Sequence, residues 1–156
     1  MSQTLFDKFL DENPQWREHY TAYFPQEIDV NTIAAFRNGA VTGITWYAAG
    51  AFCKWLSAFL PASLSNMEIR LPTEDEWSVA ALSVNNMRSP GWEWCADPYA
   101  PLSFIKAKPE AIAAVGSPER LIRGRQSLTS TETRTSLPPD ISSPIVTFRP
   151  VIARKE

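Results

Sequence analysis

Arg70-Leu71-Pro72-Thr73-Glu74-Asp75-Glu76-Trp77, answered fifteen residues later by Trp92-Glu93-Trp94, is the stretch whose reading decides the fold. Physically it is the end of a strand, a proline break and a capped helix start. Thr73 and Glu76 stand in the S/T-x-x-E spacing. There the Thr hydroxyl accepts from the N–H of residue 76, and the Glu carboxylate reaches back to the N–H of residue 73. Acidic residues in a first turn also suit the helix dipole. Consecutive helical side chains point apart, so Glu74, Asp75 and Glu76 do not converge on a metal. The helix is expected from about Glu74 to Ala81, with Trp77, Ala80 and Ala81 facing inward. Met67 to Leu71 supplies the strand before it. Trp92-Glu93-Trp94-Cys95 alternates large and polar residues and reads as another strand.

Working outward, the clearest helix spans Trp46 to about Leu60. Thr45 is its N-cap, Pro61 ends it, and Trp46, Ala49, Cys53, Leu56 and Leu60 recur at period 3.6. Thr4 to Leu10 is a short amphipathic helix. Asn13-Pro14 restarts the chain, with Asn as cap and Pro at the first helical position. Trp16, Tyr20 and Tyr23 then follow at helical spacing until Pro25. Residues 25–43 read as loop, with an extended piece from Val41 to Ile44. Residues 97–118 read as irregular and Leu121-Ile122-Arg123 as a short strand. Residues 125–144 are a polar, Ser/Thr-rich loop marked by Pro138-Pro139. Ile145 to Ala153 is a last strand, broken by Pro150 as on an edge or at a bulge. Helices early and strands late, without βαβ alternation, give an α+β class. The expected architecture has two main helices, a small antiparallel sheet and much irregular loop.

A length of 156 residues supports one domain, 1–156, in which an N-terminal helical segment (1–40) precedes the rest (41–156). A net charge of −2 draws the molecule neither to nucleic acid nor to an anionic membrane. The apolar runs fall far short of the roughly 20 residues of a membrane span. The first sixteen residues lack the basic and apolar regions of a secretory signal. A cytoplasmic location follows if Met1 is the natural start. The two cysteines, Cys53 and Cys95, are expected as buried reduced thiols.

Four further pieces accompany the opening signature: Val41-Thr42-Gly43-Ile44-Thr45-Trp46, Ala51-Phe52-Cys53-Lys54-Trp55-Leu56, Leu121-Ile122-Arg123-Gly124 and Phe148-Arg149-Pro150-Val151. In order and spacing, residues 41–154 resemble the formylglycine-generating, sulfatase-modifying enzyme family, whose fold is like that of C-type lectins. Phe9 to Trp16 resembles an early helix of bacterial, especially spirochaete, members. The resemblance implies a structural signature of Trp46, Arg70, Thr73, Glu76, Trp77, Trp92, Trp94, Arg123 and Arg149. Three departures stand out. The family's N-terminal strands are missing, which leaves residues 145–153 with an exposed edge that would pair with a second copy. After Arg123-Gly124 the family's Gly, Ser and Trp are Arg125, Gln126 and Ser127, and the Gly before Phe-Arg is Thr147. The enzymes' copper-binding cysteine pair falls near Thr129 and Arg134, and no Cys follows residue 95. Soft thiolates select Cu(I), so the resemblance implies no copper, no catalytic residues and loss of the sulfatase-activating oxidation.

Other chemistry is thin. A related branch holds iron on histidines, and His19 is the one His of this chain. Glu93 and Asp97 are weak calcium candidates, two carboxylates where the ion wants six to eight oxygens. Trp77, Trp92 and Trp94 read as core rather than as a sugar platform. Arg70, Arg123 and Arg149 are expected to pair with acids such as Glu76. On the 125–144 face, Arg125, Thr129, Glu132 and Arg134 are the candidate ligand contacts. From Glu119 onward seven Lys or Arg stand against four Asp or Glu, a bias toward an anionic ligand. The reading is a non-catalytic ligand- or protein-binding module. The alternatives are a formylglycine-generating or related oxidase, acting with a second subunit, and a structural subunit of a larger assembly.

Overall fold

The computed structural model describes residues 2–21, 40–83, 91–99, 119–124 and 133–155. Helix α1 (Gln3–Glu12) leads into a 3-10 helix (Pro14–His19), and α2 spans Trp46–Ser57. Strand β1 (Met67–Arg70), helix α3 (Glu74–Ser83) and strand β2 (Trp92–Pro98) follow. The remaining strands are β3 (Arg120–Gly124), β4 (Thr133–Leu137), β5 (Val146–Phe148) and β6 (Val151–Arg154). The class is α+β. No helix among the described residues is long and apolar enough to cross a membrane.

Two sheets organise the strands. One has the order β4-β3-β2-β5 and the other pairs β1 with β6. Every pairing is antiparallel except β2 with β5, which run parallel. The expected single last strand is therefore two strands in two sheets. Pro150 is the physical reason: it offers no N–H and fixes φ, so the ladder stops and the chain changes sheet. Strand β4 lies inside the stretch expected as loop, where Thr133 and Thr135 supply β-branched residues at alternate positions.

Side-chain alternation along β2 sorts the molecule into layers. Trp92, Trp94 and Ala96 point toward α1 and α2, together with Ile122, Val146 and Phe148. There Phe6, Phe9, Phe52 and Phe148 pack with ring centroids 5.5–6.2 Å apart. Cys95 and Leu121 point the other way and meet Trp77 of α3. Two glycines are required by geometry. Gly43 turns at φ 73°, where an L side chain is strained. A Cβ on Gly124 would come within 2.7 Å of the Gly91 carbonyl oxygen at the β2–β3 approach.

Local details also depart from expectation. Helix α2 stops at Ser57, before Leu60, and Phe52, outside the expected stripe, is fully buried. The segment after Pro14 is a 3-10 helix, and Asn13 does not cap it. Its side-chain Nδ2 instead donates back to the Phe9 carbonyl at 3.0 Å, closing α1. Tyr23 and most of residues 25–43 and 97–118 lie outside the described residues.

Candidate functional site

The signature stretch builds the N-terminus of α3. Thr73 N–H donates to Glu76 Oε2 at 2.8 Å, and Glu76 N–H donates to Thr73 Oγ1 at 3.3 Å. Arg70 grips the same carboxylate with both Nη atoms, at 2.7 and 2.9 Å. That guanidinium holds the Glu76 carboxyl down to about 2, well below the usual carboxylate value of 4.5. From the neighbouring strand, Asp97 Oδ2 accepts from Glu74 N–H at 2.7 Å. Burial pushes the Asp97 carboxyl up.

Beneath α3, one polar row crosses the whole sheet. The register places Thr147 beside Glu93, Glu93 beside Arg123, and Arg123 beside Arg134. Glu93 is 3% exposed. Its Oε2 accepts from the Trp77 indole N–H at 2.9 Å and its Oε1 from Arg149 at 2.8 Å. Arg123 donates to Glu74 Oε1 at 3.0 Å and to Ser78 Oγ at 3.2 Å, with its guanidinium 5.0 Å from the Trp77 ring centroid. Arg134 makes a two-pronged contact with Glu74 at 2.6 and 3.0 Å. Glu74 is thus shared by two arginines from adjacent strands. Such a row holds α3 on the sheet and leaves its charges facing one another.

Several of the candidate residues take part in this geometry. Arg134, on β4, is largely buried and contacts Glu74 under α3. Arg125, Thr129 and Glu132 lie outside the described residues. Glu93 and Asp97, read as calcium candidates, take donors from Trp77 and Arg149 and from a helix N-terminus, respectively. Among the described residues, no group of three or more His, Cys, Asp or Glu converges to hold a metal. His19 Nδ1 lies 3.3 Å from Thr45 Oγ1, and its ring packs on Trp16. Of the tryptophans, Trp77 and Trp94 are buried and Trp92 is half-buried. The Trp46 indole donates to the Cys95 carbonyl, and the Trp94 indole to that of Ile44. Glu74, Ser78 and Tyr99, whose ring centroid lies 5.0 Å from the Arg134 guanidinium, were missed by sequence reasoning, since only the tertiary fold brings them to the arginines.

Cys53 on α2 and Cys95 on β2 are both free and buried. Burial pushes the Cys53 thiol up to about 12 and raises that of Cys95 as well. Both therefore stay protonated and pack as small apolar groups.

An open groove of about 450 Å³ lies between α2 and the β1–β6 pair. Trp46, Gly50, Cys53 and Ser57 line it from α2, at positions that share one helical face. Ile69 and Leu71 line it from β1 and the residue after it, and Ala96 from β2. Lys54, Arg70, Lys155 and Glu68 stand around it. Ser57 Oγ fastens its end, accepting from Ile69 N–H at 2.7 Å and lying 3.0 Å from the Cys53 carbonyl.

Comparison with known proteins adds two findings. The model of the sulfatase-modifying factor enzyme 1-like domain matches residues 1–89, more than half of the 156 residues. An uncharacterized protein of Borreliella burgdorferi is 31% identical over 80 residues, covering 47% of this chain and 16% of that relative. The chain thus matches about a sixth of the length of that relative. No solved structure matches it significantly.

Proposed function

The chain belongs to the sulfatase-modifying factor enzyme 1-like domain family, and from that premise we propose that it is a non-catalytic binding module on this scaffold. The observation that carries the reading is the contrast between its two candidate sites. In the polar row under α3, Glu74 and Glu93 are each taken by arginine. The groove beside α2 is open and largely apolar. The oxidation known from this family needs a pair of copper-binding thiolates, and the donor set here does not fit that ion. Cys53 packs in the core on the α1/α2 side of the sheet and Cys95 in the cluster on the α3 side, so the two thiols do not face one another. Cu(I) titration of the full chain is expected to give no stoichiometric thiolate complex, and a Cys-x-Pro-x-Arg peptide to stay unoxidised. Tight copper binding or peptide conversion would return the enzyme reading to first place.

The partner is a small ligand or a protein. One observation favours a second copy of this chain. Among the described residues β6 pairs only with β1, and Ile152 on it is 56% exposed. An open edge with an apolar side chain invites strand addition. Native mass spectrometry over a concentration series tests this: a dimer lost on Ile152→Lys supports it, and a monomer throughout rejects it.

A further inference from the structure

We propose that β6 docks antiparallel on β6 of a second copy of this chain, about a two-fold axis at Ala153, so that the two β1–β6 pairs become one sheet in the order β1-β6-β6-β1. The inference rests on the binding-module reading and names the surface and register by which its second copy attaches.

The hydrogen-bond phase of the β1–β6 ladder carries it. Lys155 N–H donates to the Asn66 carbonyl at 2.9 Å, one step beyond the Met67–Arg154 pair. Bonded and non-bonded pairs alternate along an antiparallel ladder. Glu68 with Ala153 and Arg70 with Val151 are therefore bonded pairs, and Met67 with Arg154 and Ile69 with Ile152 are not. On β1 the phase is visible directly: Ile69 N–H turns away from β6 and donates to Ser57 Oγ of α2 at 2.7 Å. On β6 the same phase turns the N–H and C=O of Ile152 and Arg154 to the outer edge. Among the described residues nothing bonds them there. Helix α2 fastens the outer side of β1, so β6 is the open edge of the pair.

That edge is complementary to itself. A two-fold axis at Ala153 sets Ile152 against Arg154 of the second copy, and Arg154 against its Ile152. Both are bonded pairs, which exchange both of their N–H···O bonds. The Ile152 side chain, 56% exposed, then lies beside the aliphatic stem of the facing arginine. Ala153 meets its own copy in a non-bonded pair, where Cα atoms approach to about 4.5 Å and a small side chain fits. The neighbouring registers are poorer. An axis at Ile152 sets Arg154 against Pro150, which has no N–H to give. An axis at Arg154 sets two guanidinium groups directly opposite. Proline and cationic side chains are how edge strands resist indiscriminate pairing. Here they leave one register, and its isologous contact closes as a dimer and does not propagate.

The test introduces one cysteine at a time into the full chain, as Ile152→Cys, Ala153→Cys or Arg154→Cys, in a glutathione redox buffer. Covalent dimer is read by non-reducing electrophoresis, and the wild type is followed in parallel by native mass spectrometry over a concentration series. Cys53 and Cys95 are buried, so the wild type serves as the blank. Ala153→Cys is expected to give covalent dimer as its major product, since a non-bonded antiparallel pair lies within disulfide reach. Ile152→Cys and Arg154→Cys should stay largely uncrosslinked, because each lies diagonal to its own copy, about 7–8 Å away. Crosslinking at either of these in preference to Ala153→Cys overturns the register, and equal crosslinking of all three, the mark of random collision, overturns the docking. A wild type that stays monomeric throughout overturns it as well. If Ala153→Cys fails to fold, amide exchange of the wild type decides. The amides of Ile152 and Arg154 should lose their fast exchange as concentration rises, while those of Val151 and Ala153, already bonded to β1, stay unchanged. Exchange at Ile152 and Arg154 that is independent of concentration overturns the proposal. None of these measurements contains copper or a peptide substrate, so their failure is distinct from failure of the non-catalytic reading.

Discussion

On the α1/α2 side of the four-stranded sheet, Trp94, Ile122, Val146 and Phe148 are buried among phenylalanine rings; on the α3 side, Glu93, Arg123 and Thr147 are buried almost as deeply but are polar. The two faces share the same strands and hydrogen-bond ladders. They differ in what holds them to the covering helices. The first face relies on shape and apolar area, which are non-directional. The second relies on donors and acceptors whose positions are fixed by register, so it specifies where α3 sits. Much of the signature stretch belongs to this second face: Arg70, Thr73, Glu76, Trp77, Glu93 and Arg123 bond to one another or to α3, whereas Leu71, Trp92 and Trp94 pack on the first. In this chain the contacts that the signature residues make are architectural: they hold α3 on the sheet.

The strongest test of the contrast is on the apolar face. Phe52→Ala removes a ring that touches Phe6, Phe9 and Phe148. A loss of about 3–5 kcal/mol is expected, read as a lower urea midpoint at unchanged slope. A loss below about 1 kcal/mol would mean that the aromatic cluster collapses without cost, and the two faces would not differ as described.

On the polar face, Glu93→Ala should cost about 3 kcal/mol, because it strands the Trp77 indole N–H and the Arg149 guanidinium together. The informative comparison is the double change Glu93→Leu with Arg149→Leu. Replacing both charged partners by apolar side chains should recover the share owed to the unpaired guanidinium, while the Trp77 indole N–H stays stranded. If the double variant is as unstable as Glu93→Ala, the row supplies stability and not only position. Arg123→Ala adds a separate reading. It should lower the melting temperature, since Glu74 keeps Arg134 but loses one of its two arginines.

The unequal legibility of the two faces has the same origin. Helix starts and stops are local, so Thr45 as a cap, the Thr73–Glu76 box and the breaks at Pro61 and Pro150 could be read from neighbours a few residues apart. The pairing of arginines with acids was also readable in kind, and Arg70 with Glu76 in particular. Which acid meets Arg123 or Arg134 was not readable, because Glu74 lies 49 and 60 residues away and is reached only through strand register. For the same reason Arg134 read as a loop residue facing a ligand. Strand β4 has weak apolar alternation and is specified by its partner β3 more than by its own composition. The groove left no signal in the sequence reading, because its lining is gathered from α2, β1, β2 and the residue after β6.

Acid titration separates two carboxylates at the N-terminus of α3. Glu76 binds its proton less readily in the folded chain than in the unfolded one, down to about 2 from 4.5. Its contribution is therefore complete above pH 4.5 and lost as the pH falls toward 2. Asp97 is shifted the other way by burial, so protonating it favours the folded chain as the pH falls toward the ordinary aspartate range. Glu76→Gln should cost about 1 kcal/mol at neutral pH, since its side chain is 39% exposed and solvent screens the pair. It should also flatten the acid limb of the stability curve between pH 4.5 and 2. Asp97→Asn should instead remove an opposing slope. Identical acid limbs in wild type and Glu76→Gln would show that Arg70 does not set this titration.

The smallest effect bears on whether the open groove is a property of the fold or a use of it. Gly50→Ala places a methyl group where nothing lies within 4 Å. It also removes a flexible residue from the middle of α2, so it should stabilise the chain by ~0.5 kcal/mol. A gain of that size, measured by urea unfolding, means that glycine is retained against the stability of its own helix, as it would be where the space beside it is used. A loss would mean that the backbone of α2 needs glycine at this turn. The groove would then be a by-product of helix geometry.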